Sequence, residues 1–248
     1  MDIPLGEKME IIRLEETEST NSYAKSHIGV LADKTAVHAL RQTCGRGRLN
    51  RKWVDLGEDN LYLSIVLKPS NAFSEIYPNL TQYLSVALSK VLESYGVKTQ
   101  IKWPNDVLIN GKKIAGILSE TVMSGGNLEG IVLGIGVNLN AEQADLDAIP
   151  DKIAASLNIE TGKNINLDIF LNELLTEFFA NYDEFLKIGF SLIKDEYVKR
   201  NCFLDTELNV QVFNNIKTGF AKSVTDKGEL VLQTKDNAET VLTIGDIL

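Results

Sequence analysis

The stretch whose side chains are best suited to binding or catalysis covers residues 45–53, which read Gly-Arg-Gly-Arg-Leu-Asn-Arg-Lys-Trp. It places four cationic side chains among two glycines and a tryptophan, without an acid, in a chain whose formal net charge is −9. Such concentrated positive charge indicates a site for a small anion, since a polyanion would need a broad basic surface. Glycines let backbone N–H groups approach that anion, arginines grip phosphate or carboxylate with two donors, and tryptophan offers a flat face to a ring.

Three further patches combine polar side chains with small or aromatic residues. Residues 19–21 (Ser-Thr-Asn) could contact a ligand or simply cap a helix. Residues 102–106 (Lys-Trp-Pro-Asn-Asp) could form the rim of a pocket or only a turn after a strand. Residues 134–138 (Gly-Ile-Gly-Val-Asn) contain a lone Gly-x-Gly, which by itself indicates only that something packs closely on a strand.

The bulk composition restricts the classes of partner. The 248 residues, 44% hydrophobic and 24% charged, suffice for one large domain with a small appendage. The acidic balance argues against nucleic acid or an anionic membrane as the main partner, and no apolar run reaches the length of a membrane span. Residues 1–8 lack the pattern of a signal peptide. No P-loop and no Gly-x-Ser-x-Gly motif is present, which disfavours P-loop NTPases and nucleophile-elbow hydrolases.

Cysteine and histidine usage gives a second restriction. Cys44 and Cys202 are far apart in sequence and fit neither a disulfide framework nor a metal site, which predicts a cytoplasmic location. His27 and His38 are too few for a histidine-rich metal site and are expected at the surface or half-buried. The polar patches are therefore the candidates for function.

Helix and strand patterns that could position these patches alternate over about the first two hundred residues, which predicts an α/β or α+β body. In Asn60–Leu67, alternate residues (61, 63, 65 and 67) point to one face. The Asn110-Gly111 pair predicts a tight hairpin, and Gly96 is expected to end a helix that starts near Leu80. Strands are predicted at Ala36–Arg41, Thr99–Trp103, Asp106–Ile109, Lys113–Glu120 and Leu128–Asn138; helices are predicted from near Ser22 and over Leu167–Phe190.

The pattern changes after about residue 204. Four strand-like segments, Glu207–Phe213, Phe220–Val224, Glu229–Gln233 and Thr240–Ile244, follow one another without a helix. This pattern predicts a small β-barrel appended to the body. We therefore expect two domains, 1–202 and 203–248.

Taken in order, the patches resemble biotin–protein ligases. The resemblance rests on Ser19-Thr20-Asn21, on residues 42–53 with their GRGRxxRxW pattern, on residues 102–106, on Lys113-Ile114-Ala115-Gly116-Ile117-Leu118 and on residues 134–138. It implies an α+β fold, a mixed β-sheet with helices as in class II aminoacyl-tRNA synthetases, plus a small C-terminal SH3-like β-barrel. It also implies Mg²⁺-ATP-dependent conversion of biotin to biotinyl-5′-AMP, and transfer of biotin to a lysine of a biotin carboxyl carrier protein, as in acetyl-CoA carboxylase.

The resemblance assigns the biotin contacts to residues from several of these motifs. Ser19, Thr20 and Gln42 would contact the ureido group through side chains, and Gly45 and Arg46 through the backbone. Gly116 and Gly134 would leave a slot for the apolar tail, and Trp53 would cover the bound intermediate.

The same resemblance assigns the catalytic and nucleotide contacts. Lys113 would bridge the biotin carboxylate and the α-phosphate, while Arg46, Arg48 and Arg51 take up phosphate charge. Asn105 and Asn138 would contact the nucleotide, with adenine stacked on Trp53, and Asp106 would orient Lys113 or the incoming lysine. Mg²⁺ is expected on the ATP phosphates, without an assigned protein ligand. No general base is needed, because the carboxylate is ionised at pH 7.

Some members of that family carry an N-terminal DNA-binding domain, which the position of Ser19 leaves no room for, so we expect a ligase without a repressor function. A lipoate–protein ligase on the same fold and a non-catalytic biotin-sensing module stay open as alternatives, and a DNA-binding regulator is disfavoured by the acidic balance. A homodimer and a monomer are both compatible with the resemblance.

Overall fold

The computed structural model of the chain describes residues 9–69, 76–149 and 153–248. The expectation of a missing signal peptide concerns residues 1–8 and lies outside them. None of the helices in the described ranges is long and apolar enough to cross a membrane.

A seven-stranded mixed sheet forms the body, in the order β1-β2-β3-β7-β6-β5-β4. The pair β1–β2 is parallel and the other neighbours are antiparallel. The predicted mixed sheet with helices is thereby confirmed. Its strands are β1 (Ile11–Thr17), β2 (Ala36–Gln42), β3 (Leu61–Leu67), β4 (Thr99–Lys102), β5 (Asp106–Ile109), β6 (Lys112–Ser124) and β7 (Asn127–Val137).

Seven α-helices accompany the strands in the described ranges: α1 (Thr20–Ser26), α2 (Leu80–Ser94), α3 (Gln143–Asp147), α4 (Leu157–Thr161), α5 (Leu167–Ala180), α6 (Tyr182–Ile188) and α7 (Lys194–Lys199). The long helices α2 and α5 pack on each other, and the Tyr83 hydroxyl of α2 donates to the Phe178 carbonyl of α5 at 2.6 Å. Gly96, at φ +90°, follows the end of α2 as predicted.

The alternation predicted in β3 decides which face of the sheet carries chemistry. Leu61, Leu63, Ile65 and Leu67 belong to the large core beneath α2 and α5. Val66 belongs instead to a small apolar cluster beneath α1, on the opposite face. Both faces of β3 are buried, because the core with α2 and α5 covers one face and α1 packs on the other. We call the α1 side the site face, since the polar patches converge there.

Three local predictions are corrected. The helix predicted over Leu167–Phe190 is two helices, α5 and α6, because Asn181 between them adopts φ −126° and ψ 17°. Asparagine leaves helical geometry readily, since its side chain competes for backbone hydrogen bonds. Helix α1 begins at Thr20 rather than near Ser22, and the Ser19 side chain makes no capping bond. His38 is only 1% exposed, because β2 carries it into the interior.

The C-terminal part is a five-stranded antiparallel sheet, as predicted for a small all-β unit. Its strands are β8 (Glu207–Val212), β9 (Asn215–Val224), β10 (Leu230–Gln233), β11 (Glu239–Leu242) and β12 (Asp246–Ile247), in the order β11-β10-β9-β8-β12. The unit is docked on the body through its β9–β10 turn. The Gly228 carbonyl in that turn accepts hydrogen bonds from Trp103 Nε1 at 3.1 Å and Gln82 Nε2 at 2.9 Å.

Candidate active site

A cavity of about 310 Å³ lies on the site face of the sheet and gathers most of the residues singled out in the sequence. Its walls come from the start of α1, from strands β5 to β7, from residues 45–53 (the arginine loop) and from β12. The predicted site residues along it are Ser19, Thr20, Gln42, Arg46, Arg48, Arg51, Trp53, Asn105, Lys113, Gly116 and Gly134.

Two predicted site residues lie elsewhere. Gly45 is not part of the cavity wall; its carbonyl accepts the Trp53 N–H at 3.0 Å and so closes the base of the arginine loop. Asn138 is 3% exposed and its Nδ2 donates to the Ala155 carbonyl at 2.9 Å. Asn138 lines a second, small cleft, which it shares with Trp53 and Lys113.

Hydrogen-bonding groups without net charge line one end of the cavity. The Thr20 N–H donates to Gln42 Oε1 at 2.8 Å, so the start of α1 and the end of β2 are held together. The Ser64 hydroxyl of β3 lies behind them, 2.8 Å from Thr20 Oγ1 and 2.6 Å from Asn21 Oδ1. This end can offer both donors and acceptors to a neutral polar group.

Glycines in the central strands make room for two side chains that lie against the sheet, those of Asn21 and Trp53. A Cβ on Gly134 would lie 2.9 Å from Asn21 Nδ2 and closer still to Asn21 Oδ1. A Cβ on Gly136 would lie 2.8 Å from Trp53 Cζ2, and one on Gly116 would meet the same indole at 3.0 Å. The Gly-x-Gly of β7, a weak signal by itself, is therefore needed for close approach of Asn21 and Trp53 to the sheet.

Cationic groups line the opposite end of the cavity. Lys113 Nζ lies 2.6 Å from Asp106 Oδ1 across the β5–β6 hairpin, the contact expected of a carboxylate that orients this lysine. The same Nζ is 5.7 Å from the centre of the Trp53 ring, within the range of a cation–π interaction. Asn105 joins this end, since its Oδ1 accepts from Arg48 Nη1 at 3.3 Å and its Nδ2 donates to the Ile117 carbonyl.

The arginine loop folds back on itself and reaches the C-terminal sheet. The Gly47 N–H donates to the Arg51 carbonyl at 2.7 Å. Arg48 Nη2 donates to the Gly245 carbonyl at 3.1 Å, and both Arg48 Nε and Arg51 Nη1 lie 3.4 Å from the Asp246 carboxylate. Asp246 could not be predicted as a partner from the sequence, because no local pattern links it to a loop about two hundred residues earlier.

Glu120 on β6 is a second residue that the sequence analysis missed. Its Oε1 lies 2.6 Å from Lys25 Nζ and 3.2 Å from Arg46 Nη1, and its Oε2 accepts from Asn21 Nδ2 at 3.0 Å. Burial alone would raise the pKa of Glu120, but the bonds from Lys25 and Asn21 and the charge of Arg46 hold the pKa below its ordinary value. The carboxylate is therefore ionised at neutral pH.

The two ends of the cavity define the molecule that would fit it. A neutral polar group can bind at the Thr20–Gln42 end, while an acid group and a phosphate can meet beside Lys113, Arg48 and Arg51. Two carboxylates, Asp106 and Asp246, also line the cavity. Within the described ranges, no cluster of three or more histidine, cysteine, aspartate or glutamate side chains could hold a metal ion without help from a ligand.

Comparison with known proteins gives consistent results. The model of the Biotin/lipoate A/B protein ligase family matches residues 14–138, about half of the chain. The biotin–[acetyl-CoA-carboxylase] ligase of Paracoccus denitrificans is 31% identical over 229 residues, which cover 89% of this chain and 92% of that protein. The bifunctional ligase/repressor BirA of Bacillus subtilis is 32% identical over 208 residues, and the chain spans 64% of its length.

Solved structures agree with the sequence relatives. The biotin protein ligase from Aquifex aeolicus, in complex with biotin and ATP, superimposes with a TM-score of 0.82 at 29% sequence identity. The alignment covers 96% of this chain and 97% of that one, so it includes both the mixed sheet and the C-terminal sheet.

Proposed function

The chain belongs to the biotin/lipoate A/B protein ligase family, and we propose that it activates biotin with ATP and transfers the biotinyl group to a lysine of a biotin carboxyl carrier protein. The observation that carries this proposal is the two-ended cavity. Its uncharged end suits the cyclic urea of biotin, and its cationic end suits a carboxylate beside a triphosphate. The Aquifex aeolicus ligase, with its bound biotin and ATP, supports the same pairing of ligands.

The first half-reaction joins two anions. A biotin carboxylate oxygen attacks the α-phosphorus of ATP, the new O–P bond forms, and the bond to pyrophosphate breaks. At 4 Å, two unit negative charges repel each other by about 4 kcal/mol at an effective dielectric constant of 20. Lys113 would offset this repulsion at the reacting atoms, with Asp106 holding its ammonium group in place.

The arginine loop would neutralise the negative charge on the remaining phosphates of ATP. Arg48 and Arg51 both line the cavity and are held by Asp246, which a phosphate would replace as their counter-ion. Bound Mg²⁺ would neutralise further phosphate charge, and of the carboxylates only Asp106 and Asp246 of the described residues lie along the cavity. Asn105 and Trp53 would contact the nucleotide, and Asn138 would act from the adjoining cleft.

The second half-reaction transfers the acyl group. The neutral amine of the carrier lysine attacks the acyl carbon of biotinyl-5′-AMP and the C–N bond forms. AMP leaves as its phosphate oxygen takes the electron pair, and the nitrogen loses its extra proton to water. Trp53 and the arginine loop would cover the mixed anhydride and keep water away until the carrier arrives. We expect the loop to order further when biotin and the adenylate bind.

We also propose two domains, 1–202 for catalysis and 203–248 for the C-terminal unit. The boundary falls between α7, which ends at Lys199, and β8, which begins at Glu207. We also propose a cytoplasmic location, and the free thiols of Cys44 and Cys202 are compatible with that reducing compartment.

The test is biotin-dependent exchange of labelled pyrophosphate into ATP, followed by transfer of labelled biotin to a carrier domain. Exchange with transfer supports the ligase, whereas adenylate binding without transfer would indicate a sensing module. A lipoate–protein ligase is the second candidate, because the matching family covers both acids. A thermal shift with biotin but not with lipoate would exclude it, and the reverse result would overturn the biotin proposal.

A further inference from the structure

Glu120 lies outside the cavity wall but contacts two residues that form it, Asn21 and Arg46. Its side chain is 16% exposed, and both carboxylate oxygens are engaged by donors from Lys25, Arg46 and Asn21. A group so placed does not touch a ligand. It can act only through the side chains it holds.

The hydrogen bonds that lead from Glu120 to the cavity have one direction. An ionised carboxylate only accepts, so Asn21 turns its amide N–H₂ towards Glu120 and its Oδ1 towards Ser64. Asn21 Oδ1 can only accept, and the Ser64 hydroxyl at 2.6 Å must give it its single proton. The two hydroxyls lie 2.8 Å apart, a distance that needs a proton between the oxygens. Because the single Ser64 proton is given to Asn21 Oδ1, we assign Thr20 as the donor in this contact and Ser64 as the acceptor.

This direction fixes what Thr20 offers to a ligand. Its proton is needed in the 2.8 Å contact with Ser64, which would otherwise bring two hydroxyl oxygens together without a proton between them. The other acceptor within reach, Gln42 Oε1, is farther away at 3.2 Å and already accepts the Thr20 N–H at 2.8 Å, so it does not need the hydroxyl proton. The free lone pair of Thr20 Oγ1 then faces the cavity as an acceptor. The N–H groups of a cyclic urea need such an acceptor.

We propose that Glu120 is a positioning residue: through Asn21 and Ser64 it sets Thr20 as a hydrogen-bond acceptor for an N–H of the biotin head group. The inference rests on the proposed function, because it takes a cyclic urea as the ligand. Gly134 is part of the arrangement, since any side chain there would displace Asn21 from the path.

Replacing the Glu120 carboxylate by an amide would no longer fix which group donates in each of these hydrogen bonds. In Glu120→Gln the new amide can donate, so Asn21 can rotate, Ser64 can donate to Thr20, and Thr20 can turn its proton into the cavity. A proton there opposes the ligand N–H. We expect the KM for biotin in pyrophosphate exchange to rise about tenfold, with kcat at saturating biotin within about twofold of the original.

A double-variant cycle with Ser64→Ala separates this role from a general loss of structure. Ser64 is fully buried and does not line the cavity. If the effect passes through its hydroxyl, Ser64→Ala alone raises the KM for biotin, and adding Glu120→Gln raises it little further. Multiplying effects in the double variant would overturn the proposal.

Glu93→Gln is the matched control. Glu93 is another partly buried carboxylate, bonded to Arg200 and Thr99, but it lies away from the cavity. We expect this variant to lower the melting temperature while the KM for biotin stays unchanged.

Two outcomes keep the inference separate from the proposed function. An unmodified chain without biotin-dependent exchange would overturn the function itself. Normal exchange together with an unchanged KM for biotin in Glu120→Gln would overturn only the role of Glu120. If Glu120→Gln does not fold, Glu120→Asp keeps the charge but withdraws the carboxylate from Asn21 by one methylene. The KM for biotin is then expected to rise, and an unchanged value would refute the proposal.

Discussion

Adding one methyl group at Gly136 tests whether the indole of Trp53 must rest on the sheet. In Gly136→Ala the new Cβ would lie 2.8 Å from Trp53 Cζ2 and closer to two other atoms of the ring. Overpacking of this kind costs about 1–3 kcal/mol. Trp53 belongs to a half-buried loop whereas Gly136 belongs to a central strand, so the indole should move and the strand should not.

The cost should therefore appear in ligand binding. At about 1.4 kcal/mol for each factor of ten, 1–3 kcal/mol corresponds to about 5- to 150-fold weaker binding of a ligand that needs the indole in place. Isothermal titration with biotin, in the presence of a non-hydrolysable ATP analogue, would measure the change. The melting temperature without ligand should hardly fall.

Gly130→Ala is the matched control on the same strand. Its Cβ would lie 2.9 Å from Ile28 Cδ1 and 3.1 Å from the Leu67 carbonyl, within the apolar cluster beneath α1 and away from the cavity. This variant should lower the melting temperature and leave biotin affinity unchanged. If Gly136→Ala loses stability and keeps its affinity, the reasoning about Trp53 is wrong.

Three further predictions concern charge. Lys113→Met should slow adenylate formation by about 10³-fold, since about 4 kcal/mol of repulsion between the carboxylate and the phosphate is left unopposed. Lys112 is next to it in the chain but outside the cavity, so Lys112→Met should form the adenylate at the original rate. Equal losses of rate for the two variants in single-turnover assays would contradict the role of Lys113. Arg48→Gly removes the contacts to Asn105 and Asp246, so a preformed complex should release biotinyl-5′-AMP faster; retention as in the original chain would refute the covering role of the loop. Burial, followed by the charge of Arg13, lowers the pKa of His38 from 6.5 to about 4. The unfolded chain takes up this proton more readily than the folded chain does. Protonation of His38 therefore leaves the free energy of unfolding unchanged above pH 6.5 and lowers it between pH 6.5 and pH 4, by at most about 3 kcal/mol. Urea unfolding at several pH values should show this slope, and His38→Leu should flatten it; equal slopes would exclude His38 as the cause.

Features set by neighbouring residues could be predicted from the sequence. The Asn110-Gly111 turn has both residues at positive φ, 51° and 74°, as its hairpin type requires. The alternation in β3 correctly separated its two faces, because side chains of a strand alternate regardless of what packs on them. The polar patches were recognised as one set by resemblance, and the fold brings nearly all of them to one cavity.

Features set by distant residues could not be predicted. Glu120 and Asp246 stood in ordinary strand patterns, and only the fold brings them to Asn21 and to the arginine loop. The surroundings of His38 come from distant parts of the chain, with Arg13 of β1 paired to it and the charge of Asp168 of α5 acting on it, and a lone histidine in a strand gives no sign of such neighbours. The break at Asn181 was hidden by an apolar pattern that continues through both helices.

The junction between β3 and β7 has a consequence for dynamics. These strands are about seventy positions apart in the chain, and their pairing, from Leu61↔Val137 to Leu67↔Ile131, joins the two halves of the sheet. Ser64 lies on one half and Gly134 on the other, directly paired. Any opening of this seam dismantles the binding pocket, so ligand should slow amide hydrogen exchange along both strands together, as one cooperative unit rather than as a local patch.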